Sequence, residues 1–368
     1  MAADGGDGPA MSAAAARPVR FGILGAGRVV VGRYLSVFDR EVTGAEVVAV
    51  CDTVPERAQH AANVLKTRAM TSMEAFLADP AIEVVVVATE SGHHDVHAMA
   101  ALRAGKHVVV EKPPAMIPAG VDECRRFAEA SGLMYAVVFQ NRLNPAMRVL
   151  KRAFDEGRFG RFVLGTIRLR WCRVQDYYED GWHGTWRMDG GVINQQAIHH
   201  VDALRWVCGE VAEVSALRAN ALNKLEAEDT MLAVLRFAHG GSGAIEATTA
   251  IRPRDVEASI SVFGEDGMAV VGGIALNRID TWEFSTQRPE DARIQDHSQD
   301  VPNGYGLSHK DYIQMVIDRL AAGDITPPIG GAETIGTVAL VHALYASTEQ
   351  GGPVRLADNP VSRRLGVG

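Results

Sequence analysis

The feature that most constrains the fold is a series of Val-rich segments that alternates with helical segments between residues 19 and 140. The Val-rich segments are VRFGILG, AEVVAVCD, IEVVVVAT, KHVVVEK and MYAVVFQ. Their apolar residues are continuous, which is typical of parallel strands covered by helices on both faces. Helices are predicted over residues 30–38, 55–65, 73–78, 96–104 and 121–130. This order predicts a doubly wound, parallel α/β sheet over residues 19–142.

The pattern changes after residue 143. Strands are predicted over residues 162–174, 214–222, 229–251, 256–273 and 277–285, and helices over 145–156, 195–206, 309–322 and 332–350. The sequences HGGSG and GEDG predict hairpin turns in which glycines adopt positive φ. Residues 143–368 are therefore predicted to form an α+β domain with a large, open-faced, mostly antiparallel sheet. An apolar open face favours self-association as a dimer or tetramer, through the strands from Val256 to Gly272. The Gly/Ala-rich residues 1–18 are predicted to be a disordered tail.

A glycine-rich turn, GAGRVV, follows the first predicted strand. Gly25 permits a tight turn, and Gly27 permits close approach of the backbone to a pyrophosphate at a helix N-terminus. Val30 occupies the position where this motif usually has a third small residue. Asp52 ends the next strand, where a carboxylate accepts ribose hydroxyls and repels a 2′-phosphate. The turn and Asp52 together predict NAD, and not NADP, as the cofactor.

Two further segments contain residues suited to acid–base chemistry. Lys112 follows the strand KHVVVE and precedes two prolines, at the edge of the sheet where ligands bind. In DGGVINQQAIHHVD, a predicted helix begins near Asn194 and places Gln195 and His199 on one face. His199 is the candidate general base, and the adjacent His200 is interpreted as structural.

The segment WCRVQDYYEDGWHGTW concentrates aromatic residues and cations. Such a segment suits stacking on a sugar or a uracil ring, and it equally suits an apolar plug between domains. Both interpretations stay open at this stage.

Composition excludes several classes of function. The formal net charge of −8 provides no electrostatic surface for nucleic acid or anionic lipid. Cys51, Cys124, Cys172 and Cys208 are scattered without zinc-site spacing, which favours a reducing, cytoplasmic compartment. The histidines of HHDVH have no suitably spaced acidic partners, so no metal site is predicted. No apolar segment is long enough to span a membrane.

Three segments carry a family resemblance: GILGAGRV, VATESGHHDVHAMAALRAGKHVVVEKP and DGGVINQQAIHHVD. On these segments the chain resembles the glucose–fructose oxidoreductase / inositol dehydrogenase / rhizopine catabolism (Gfo/Idh/MocA) family from about residue 19 onward. Glu90 and Ser91 replace the usual Pro-Asn of the second segment, and Gln195 replaces an Asp that is frequent in the third. The segments QNRLNPA, RWCRVQDYYEDGWHGTW, NQQAIHHVD and VGGIALNRIDTW are further similar to the UDP-N-acetylglucosamine and UDP-N-acetylglucosaminuronate 3-dehydrogenases.

The resemblance implies an NAD-dependent dehydrogenase that oxidises C3 of a UDP-linked 2-acetamido sugar, with Lys112 and His199 as the catalytic pair. The implied cofactor contacts are Gly25, Ala26, Gly27, Arg28, Val29, Asp52, Thr89, His94, Glu111, Lys112, Gln140, Trp186 and Arg187. The implied substrate contacts are Asn141, Arg142, Arg173, Tyr177, Asn194, Gln195 and His199.

Two alternative functions remain open. The first is a free sugar or inositol dehydrogenase of the same family, which would not bind uridine nucleotides. The second is a dinucleotide-sensing regulator without turnover, for which the loss of Lys112 or His199 would be the expected sign. Both residues are present.

Overall fold

The computed structural model describes residues 17–367 and contains two β-sheets. Residues 1–16, most of the predicted tail, lie outside the described residues. The first sheet has six parallel strands in the order β3-β2-β1-β4-β5-β6. They are β1 (Val19–Leu24), β2 (Ala45–Cys51), β3 (Arg68–Met70), β4 (Val84–Val87), β5 (His107–Val110) and β6 (Tyr135–Val137). The strand order reverses between β1 and β4, so a ligand crevice opens at their carboxyl ends.

Helices cover both faces of the first sheet, as the continuous apolar strands require. A helix over residues 28–41 contains two π-helical segments, Val30–Tyr34 and Val37–Glu41. It is followed by α1 (Pro55–Leu65), α2 (Met73–Leu77), a 3₁₀ turn (Ser91–His93), α3 (His94–Arg103) and α4 (Pro118–Ser131). Both α1 and α4 begin with a proline, whose missing N–H costs nothing in the first helical turn. The parallel sheet and its flanking helices confirm the predicted doubly wound α/β fold.

The second sheet has eight strands in the order β13-β12-β11-β7-β10-β9-β8-β14. They are β7 (Phe162–Arg170), β8 (Val211–Ala219), β9 (Thr230–Phe237), β10 (Ser242–Thr248), β11 (Glu257–Gly264), β12 (Gly267–Gly272), β13 (Arg278–Phe284) and β14 (Val354–Arg355). Every neighbouring pair is antiparallel except β7 and β10, which run parallel at the centre. The predicted mostly antiparallel sheet is therefore confirmed.

The second sheet buries one face against helices. These helices are α5 (Pro145–Asp155), α6 (Val192–Gln195), α7 (Ile198–Cys208) and α9 (Gly331–Gln350). Between α7 and α9 in the chain lies α8 (His309–Ala321), which packs against the first sheet. Shorter 3₁₀ segments lie at Gln140–Leu143, Gln175–Tyr178, Pro289–His297 and Leu356–Asp358. Helix α9 contacts β8, α4 and α7, and α8 contacts β1. The C-terminal helices therefore pack against both sheets, and the division at residue 142 stays a prediction of sequence alone.

Three local details differ from the sequence-based expectations. The short edge strand β3 was not predicted. The predicted helix over residues 195–206 consists of two helices, because the chain turns at Gln196 and Ala197 between α6 and α7. The GEDG hairpin forms, but its glycines are not at positive φ. Gly264 is required for close approach instead, since a Cβ there would lie 2.1 Å from the carbonyl oxygen of Phe159.

Candidate active site

The glycine-rich turn lies at the carboxyl end of β1, beside the end of β4. Gly25 has φ +94°, and a Cβ at this position would lie 2.5 Å from the carbonyl oxygen of Ala88. Only glycine fits this conformation and this approach. A Cβ on Gly27 would meet no atom within 4 Å, so the space beside it is open. The turn therefore combines a close-packed first glycine with an open second one, as backbone contact with a pyrophosphate requires.

Asp52 contacts this turn directly. Its Oδ2 accepts a hydrogen bond from the Ala26 N–H (2.7 Å), and its Oδ1 accepts one from the Val54 N–H (2.8 Å). The carboxylate thus lies beside the turn at the end of β2, and each oxygen retains a lone pair for a further donor. This placement fits the ribose of a dinucleotide bound along the turn.

Lys112 follows β5 and contacts the segment that precedes α7. Its Nζ donates to the backbone oxygen of Gln195 (2.9 Å) and to Gln195 Oε1 (2.6 Å). The Nε2 of Gln195 in turn donates to Ser91 Oγ (3.2 Å) and to Asp189 Oδ1. Burial lowers the pKa of Lys112, whereas the carboxylates of Glu111 and Asp189 raise it.

His199 lies in the first turn of α7 and is half-buried. Its ring is edge-on to Phe139, with 5.6 Å between ring centroids, and its buried Nδ1 has no hydrogen-bond partner among the described residues. Burial, followed by the Lys112 charge, holds the pKa of His199 well below its usual value. The imidazole is therefore neutral near pH 7 and able to accept a proton. His200 packs against Trp171, and burial lowers its pKa to about 3.

Neighbouring side chains hold the loop that carries Lys112. Glu111 accepts hydrogen bonds from the Tyr34 hydroxyl (2.8 Å) and from the Lys112 N–H (3.2 Å). The buried His94 ring lies within hydrogen-bond distance of the carbonyl oxygens of Pro113 (2.7 Å) and Thr89 (3.0 Å). The predicted cofactor contacts Thr89, His94 and Glu111 thus converge beside Lys112, where they connect the ends of β4 and β5.

Several of the predicted contacts present buried oxygens without donors. Gln140 Oε1, Asn141 Oδ1 and Asn194 Oδ1 have no hydrogen-bond partner within residues 17–367. A buried acceptor without a donor is costly, and such groups concentrate where a ligand completes the site. Arg142 is different, because its guanidinium is held by Asp202 and Glu333, with three nitrogen–oxygen distances of 2.7 Å. These contacts favour a structural role for Arg142, and its contact with substrate stays a prediction.

The aromatic segment contacts both domains. The Arg28 guanidinium donates to the Tyr177 carbonyl oxygen (3.2 Å), pairs with Asp180 (3.3 Å) and lies 4.6 Å from the centre of the Tyr177 ring. Arg173 pairs with Asp255 (3.0 Å) and lies 4.9 Å from the Trp171 ring centre. The segment therefore connects the start of the helix over residues 28–41 with the second sheet, beside the nucleotide turn.

Two of the predicted cofactor residues, Trp186 and Arg187, do not contact the nucleotide turn through hydrogen bonds or rings in the described part of the chain. Trp186 is buried against Tyr345, with the guanidinium groups of Arg218 and Arg364 5.0 and 5.6 Å from its ring centre. Arg187 is exposed. Within residues 17–367, no hydrogen bond or ring contact joins either side chain to the nucleotide turn, and their contact with NAD stays a prediction.

Two carboxyl groups beside the site were missed by sequence reasoning. Asp189 is 1% exposed and contacts Gln195, and Glu228 is fully buried beneath Gly191. Burial raises the pKa of Asp189 to about 7 and that of Glu228 to about 8. Asp189 precedes Gly190 and Gly191 in the DGG sequence, and this position next to the two glycines could have identified it as a site residue. Nothing local in the sequence marks Glu228.

The described residues contain neither a membrane-spanning helix nor a metal-binding cluster. No helix within residues 17–367 has the length and apolar character needed to cross a membrane. Within the same range, no group of three or more His, Cys, Asp or Glu side chains is arranged to hold a metal ion.

Both halves of the chain match models of known protein families. Residues 19–139 match the family described as an oxidoreductase family with an NAD-binding Rossmann fold, and residues 147–270 match the GFO/IDH/MocA C-terminal domain. Among curated proteins, an inositol 2-dehydrogenase from Saccharopolyspora erythraea is 26% identical over 350 residues, which cover 93% of this chain and 97% of that protein.

Two solved structures are more similar in sequence. The WlbA dehydrogenase from Bordetella pertussis, in complex with NADH and UDP-GlcNAcA, is 37% identical with a TM-score of 0.87, covering 92% of this chain and 98% of that one. The WlbA dehydrogenase from Chromobacterium violaceum, with the same ligands, is 33% identical with a TM-score of 0.86, covering 93% and 97%.

Proposed function

This chain belongs to the GFO/IDH/MocA family of NAD-dependent sugar and polyol dehydrogenases, and on that premise we propose that it oxidises the C3 hydroxyl of a UDP-linked 2-acetamido sugar to the ketone. The substrate would be UDP-GlcNAc or its uronate. The main support is the 37% identity, across nearly the whole chain, to a dehydrogenase solved with NADH and UDP-GlcNAcA.

When bound, NAD supplies the acceptor for the hydride that leaves the oxidised carbon. Oxidation also requires removal of the hydroxyl proton, and His199 is the proposed base because burial keeps its imidazole neutral. A base positioned in this way contributes about 10²- to 10⁴-fold in rate.

Lys112 is proposed to stabilise the oxygen as the proton leaves. Its ammonium has three N–H donors, two of which are directed at Gln195. The third is left to donate to the reacting hydroxyl. A fixed cation beside developing negative charge in a site shielded from water is among the larger catalytic effects.

The buried side-chain oxygens that have no donor among the described residues suit a ligand with several hydroxyl groups. Gln140, Asn141 and Asn194 present buried oxygens that need donors, and sugar hydroxyl or acetamido N–H groups supply them. Arg173 and Tyr177 belong to the aromatic segment, where a planar ring or an anionic group would find contacts.

The test is turnover and binding across a panel of substrates. NADH formation is measured with NAD plus UDP-GlcNAc, UDP-GlcNAc-uronate, UDP-glucose, free GlcNAc or myo-inositol, and NMR of the product locates the ketone. Turnover confined to the UDP-linked 2-acetamido sugars, with the ketone at C3, is the expected result. A ketone at another carbon would contradict the assignment.

The alternative function is oxidation of a free sugar or an inositol, favoured by the inositol 2-dehydrogenase that matches 93% of this chain. The same panel distinguishes the two. Turnover with myo-inositol or a free sugar, together with no thermal stabilisation by UDP-sugars, would establish the alternative. A ligand present at 100 times its Kd stabilises a protein by about 2.7 kcal/mol, which is readily detected.

A further inference from the structure

Three buried or half-buried side chains form a continuous hydrogen-bonded row beside the proposed base. Asp189 Oδ1 accepts from Gln195 Nε2, and Gln195 Oε1 accepts from Lys112 Nζ at 2.6 Å. Asp189 and Gln195 are 1% and 6% exposed. Asp189 is itself held in place, since its Oδ2 accepts from the Gly184 N–H at 2.7 Å. The row therefore runs from a fixed carboxyl group to the lysine.

The carboxylate of Asp189 and the ammonium of Lys112 together determine the orientation of the Gln195 amide. A carboxylate only accepts hydrogen bonds, so it contacts the NH₂ end of the amide. Ser91 Oγ accepts from the same NH₂ group at 3.2 Å. The carbonyl end is then directed at the lysine ammonium, which only donates. Reversal of the amide would place two acceptors together at Asp189 and two donors together at Lys112.

From this geometry we propose that Asp189 is a positioning residue for Lys112, acting through the Gln195 amide. The proposal rests on the catalytic role given to Lys112 above. Asp189 holds the NH₂ end of the amide, and Gln195 accepts from two of the three ammonium donors, one through its side-chain Oε1 and one through its backbone oxygen. The remaining donor is directed at the reacting hydroxyl. The family's frequent Asp at position 195 is thus replaced by an amide with a carboxylate behind it.

The protonation state of Asp189 makes this role sensitive to pH. Burial raises the pKa of Asp189 to about 7, although the bonds from Gly184 and Gln195 and the Lys112 charge act in the opposite direction. Below that pH the protonated carboxyl group has lost its negative charge and has an O–H of its own, so it holds the NH₂ end of the Gln195 amide less tightly. The proposal therefore predicts that kcat/KM falls as the pH drops below about 7.

The shifted pKa values of the described groups around this row lie away from 7, with one exception. The pKa values of Glu111, Asp180, His183 and His199 are lowered, and those of Tyr177, Tyr178 and Tyr345 are raised, in each case away from 7. Arg173 is a fixed cation near Lys112. The exception is Glu228, whose pKa burial raises to about 8 beneath the same segment. Glu228→Gln is therefore the matched control.

The first experiment measures kcat, KM and the pH profile of Asp189→Asn at saturating NAD, with whichever substrate of the panel reacts. We expect kcat to fall about 10- to 100-fold with little change in KM, because a slightly misplaced group costs this much. The decline of kcat/KM below pH 7 should disappear in Asp189→Asn and persist in Glu228→Gln. An unchanged pH profile in Asp189→Asn would overturn the proposal. Asp358→Asn, at an exposed position, is the control variant and should retain the activity of the unaltered protein.

A double-mutant cycle tests whether Asp189 acts through Gln195. Asp189→Asn combined with Gln195→Ala should be no slower than Gln195→Ala alone, because both changes remove the same hold on Lys112. Additive losses would show that Asp189 acts by another route. In the Asp189→Asn background, Gln195→Glu should recover part of kcat, since a carboxylate then accepts directly from the lysine.

A measurement that needs no substrate separates this proposal from the proposed function. The rate of Lys112 acylation by acetic anhydride is followed against pH by mass spectrometry of the NAD-bound protein. Loss of the Asp189 charge should lower the pKa of Lys112, so Asp189→Asn should be labelled faster at pH 8 than the unaltered protein. If Asp189→Asn is labelled faster but no substrate of the panel is turned over, the positioning role is supported and the proposed function is refuted. Equal labelling would refute the positioning role.

Discussion

Burial shifts the two proposed catalytic nitrogens toward their neutral forms, but their surroundings differ. Lys112 is surrounded by acceptors and by two carboxyl groups, which favour the ammonium. His199 has a buried Nδ1 without a partner in the described part of the chain and a lysine charge nearby, which favour the neutral ring. One site thus contains a cation and a neutral base, as removal of a proton from a hydroxyl requires.

The first prediction concerns this pair. Lys112→Met and His199→Asn should each reduce kcat by orders of magnitude, and the double variant should lose less than the sum, because the residues act on the same hydroxyl. NAD affinity, measured by calorimetry, should change little, because neither residue is proposed to hold the adenosine or the pyrophosphate. His200→Asn is the neighbouring control and should retain most activity, since that ring packs on Trp171. A large loss of NAD affinity in either catalytic variant would argue against these roles.

The second prediction concerns cofactor choice. Asp52 contacts the nucleotide turn, where a carboxylate repels the 2′-phosphate of NADP. NAD should therefore bind much more tightly than NADP. Asp52→Ala should weaken NAD binding and narrow the difference between the two cofactors, as measured by titration calorimetry. Comparable affinities in the unaltered protein would contradict the role of Asp52.

At the scale of elements, the segment from Asp189 to α7 is held by the loop that precedes β9 and by α9. Glu228 Oε1 accepts from the Ile193 N–H (3.2 Å) and from the Tyr345 hydroxyl (3.0 Å), and that hydroxyl accepts from the Gly191 N–H (2.9 Å). A Cβ on Gly191 would lie 2.2 Å from Glu228, so glycine is required there. The start of α6 is thus fixed against a buried carboxyl group from the loop that precedes β9.

The third prediction concerns the cost of burying Glu228. Its pKa is raised from 4.5 to about 8, so the folded state retains its proton more tightly and loses stability as the pH rises through that range. Glu228→Gln removes the titration and retains an acceptor for Ile193 and Tyr345. Its stability relative to the unaltered protein should therefore increase from pH 5 to pH 8, by on the order of a few kcal/mol.

Chemical denaturation at pH 5, 6.5 and 8 measures this difference. An equal difference at every pH would show that the ionisation of Glu228 is not responsible. His342→Gln is a useful comparison because burial lowers the pKa of that ring. Protonation of His342 destabilises the folded state only at acid pH. The difference in stability between His342→Gln and the unaltered protein should therefore change with pH only at the lower values.

At the scale of the whole molecule, residues 17–367 leave one face of the second sheet uncovered. Along β9, Met231, Ala233, Leu235 and Phe237 are buried, whereas Leu232 and Val234 are 49% and 63% exposed. Leu217 on β8 pairs with Leu232 and is 76% exposed. These exposed apolar side chains on neighbouring strands form a hydrophobic patch, and exposure of such a patch to water is unfavourable.

The fourth prediction is that this face mediates self-association into a dimer or tetramer. Light scattering at micromolar concentration should give a mass at least twice 39.5 kDa. Leu232→Arg combined with Val234→Arg should shift the protein toward the monomer. Val361→Arg, at an exposed apolar residue away from the sheet, should not. A monomeric unaltered protein would refute the prediction.

Several properties followed from the sequence alone because their causes are local. Continuous Val-rich segments predicted buried parallel strands, and β4 consists of four valines that are all fully buried. Gly25 was predicted at the nucleotide turn from the backbone conformation that the turn requires, and its φ of +94° agrees. The order of strands and helices, the nucleotide turn and the family segments each depend on residues that are near neighbours in the chain.

Other properties were decided only by the tertiary structure, because they depend on residues far apart in sequence. The acceptors for Lys112 lie 83 residues away at Gln195, and Arg142 is paired with Glu333, 191 residues away. Periodicity placed Gln195 and His199 on one helix face, but the chain turns between them. The parallel pairing of β7 with β10, and the burial that raises the pKa values of Asp189 and Glu228, likewise arise from packing between elements. Sequence patterns specify which face of an element is apolar, whereas the partner of a buried polar group is determined only when the elements pack together.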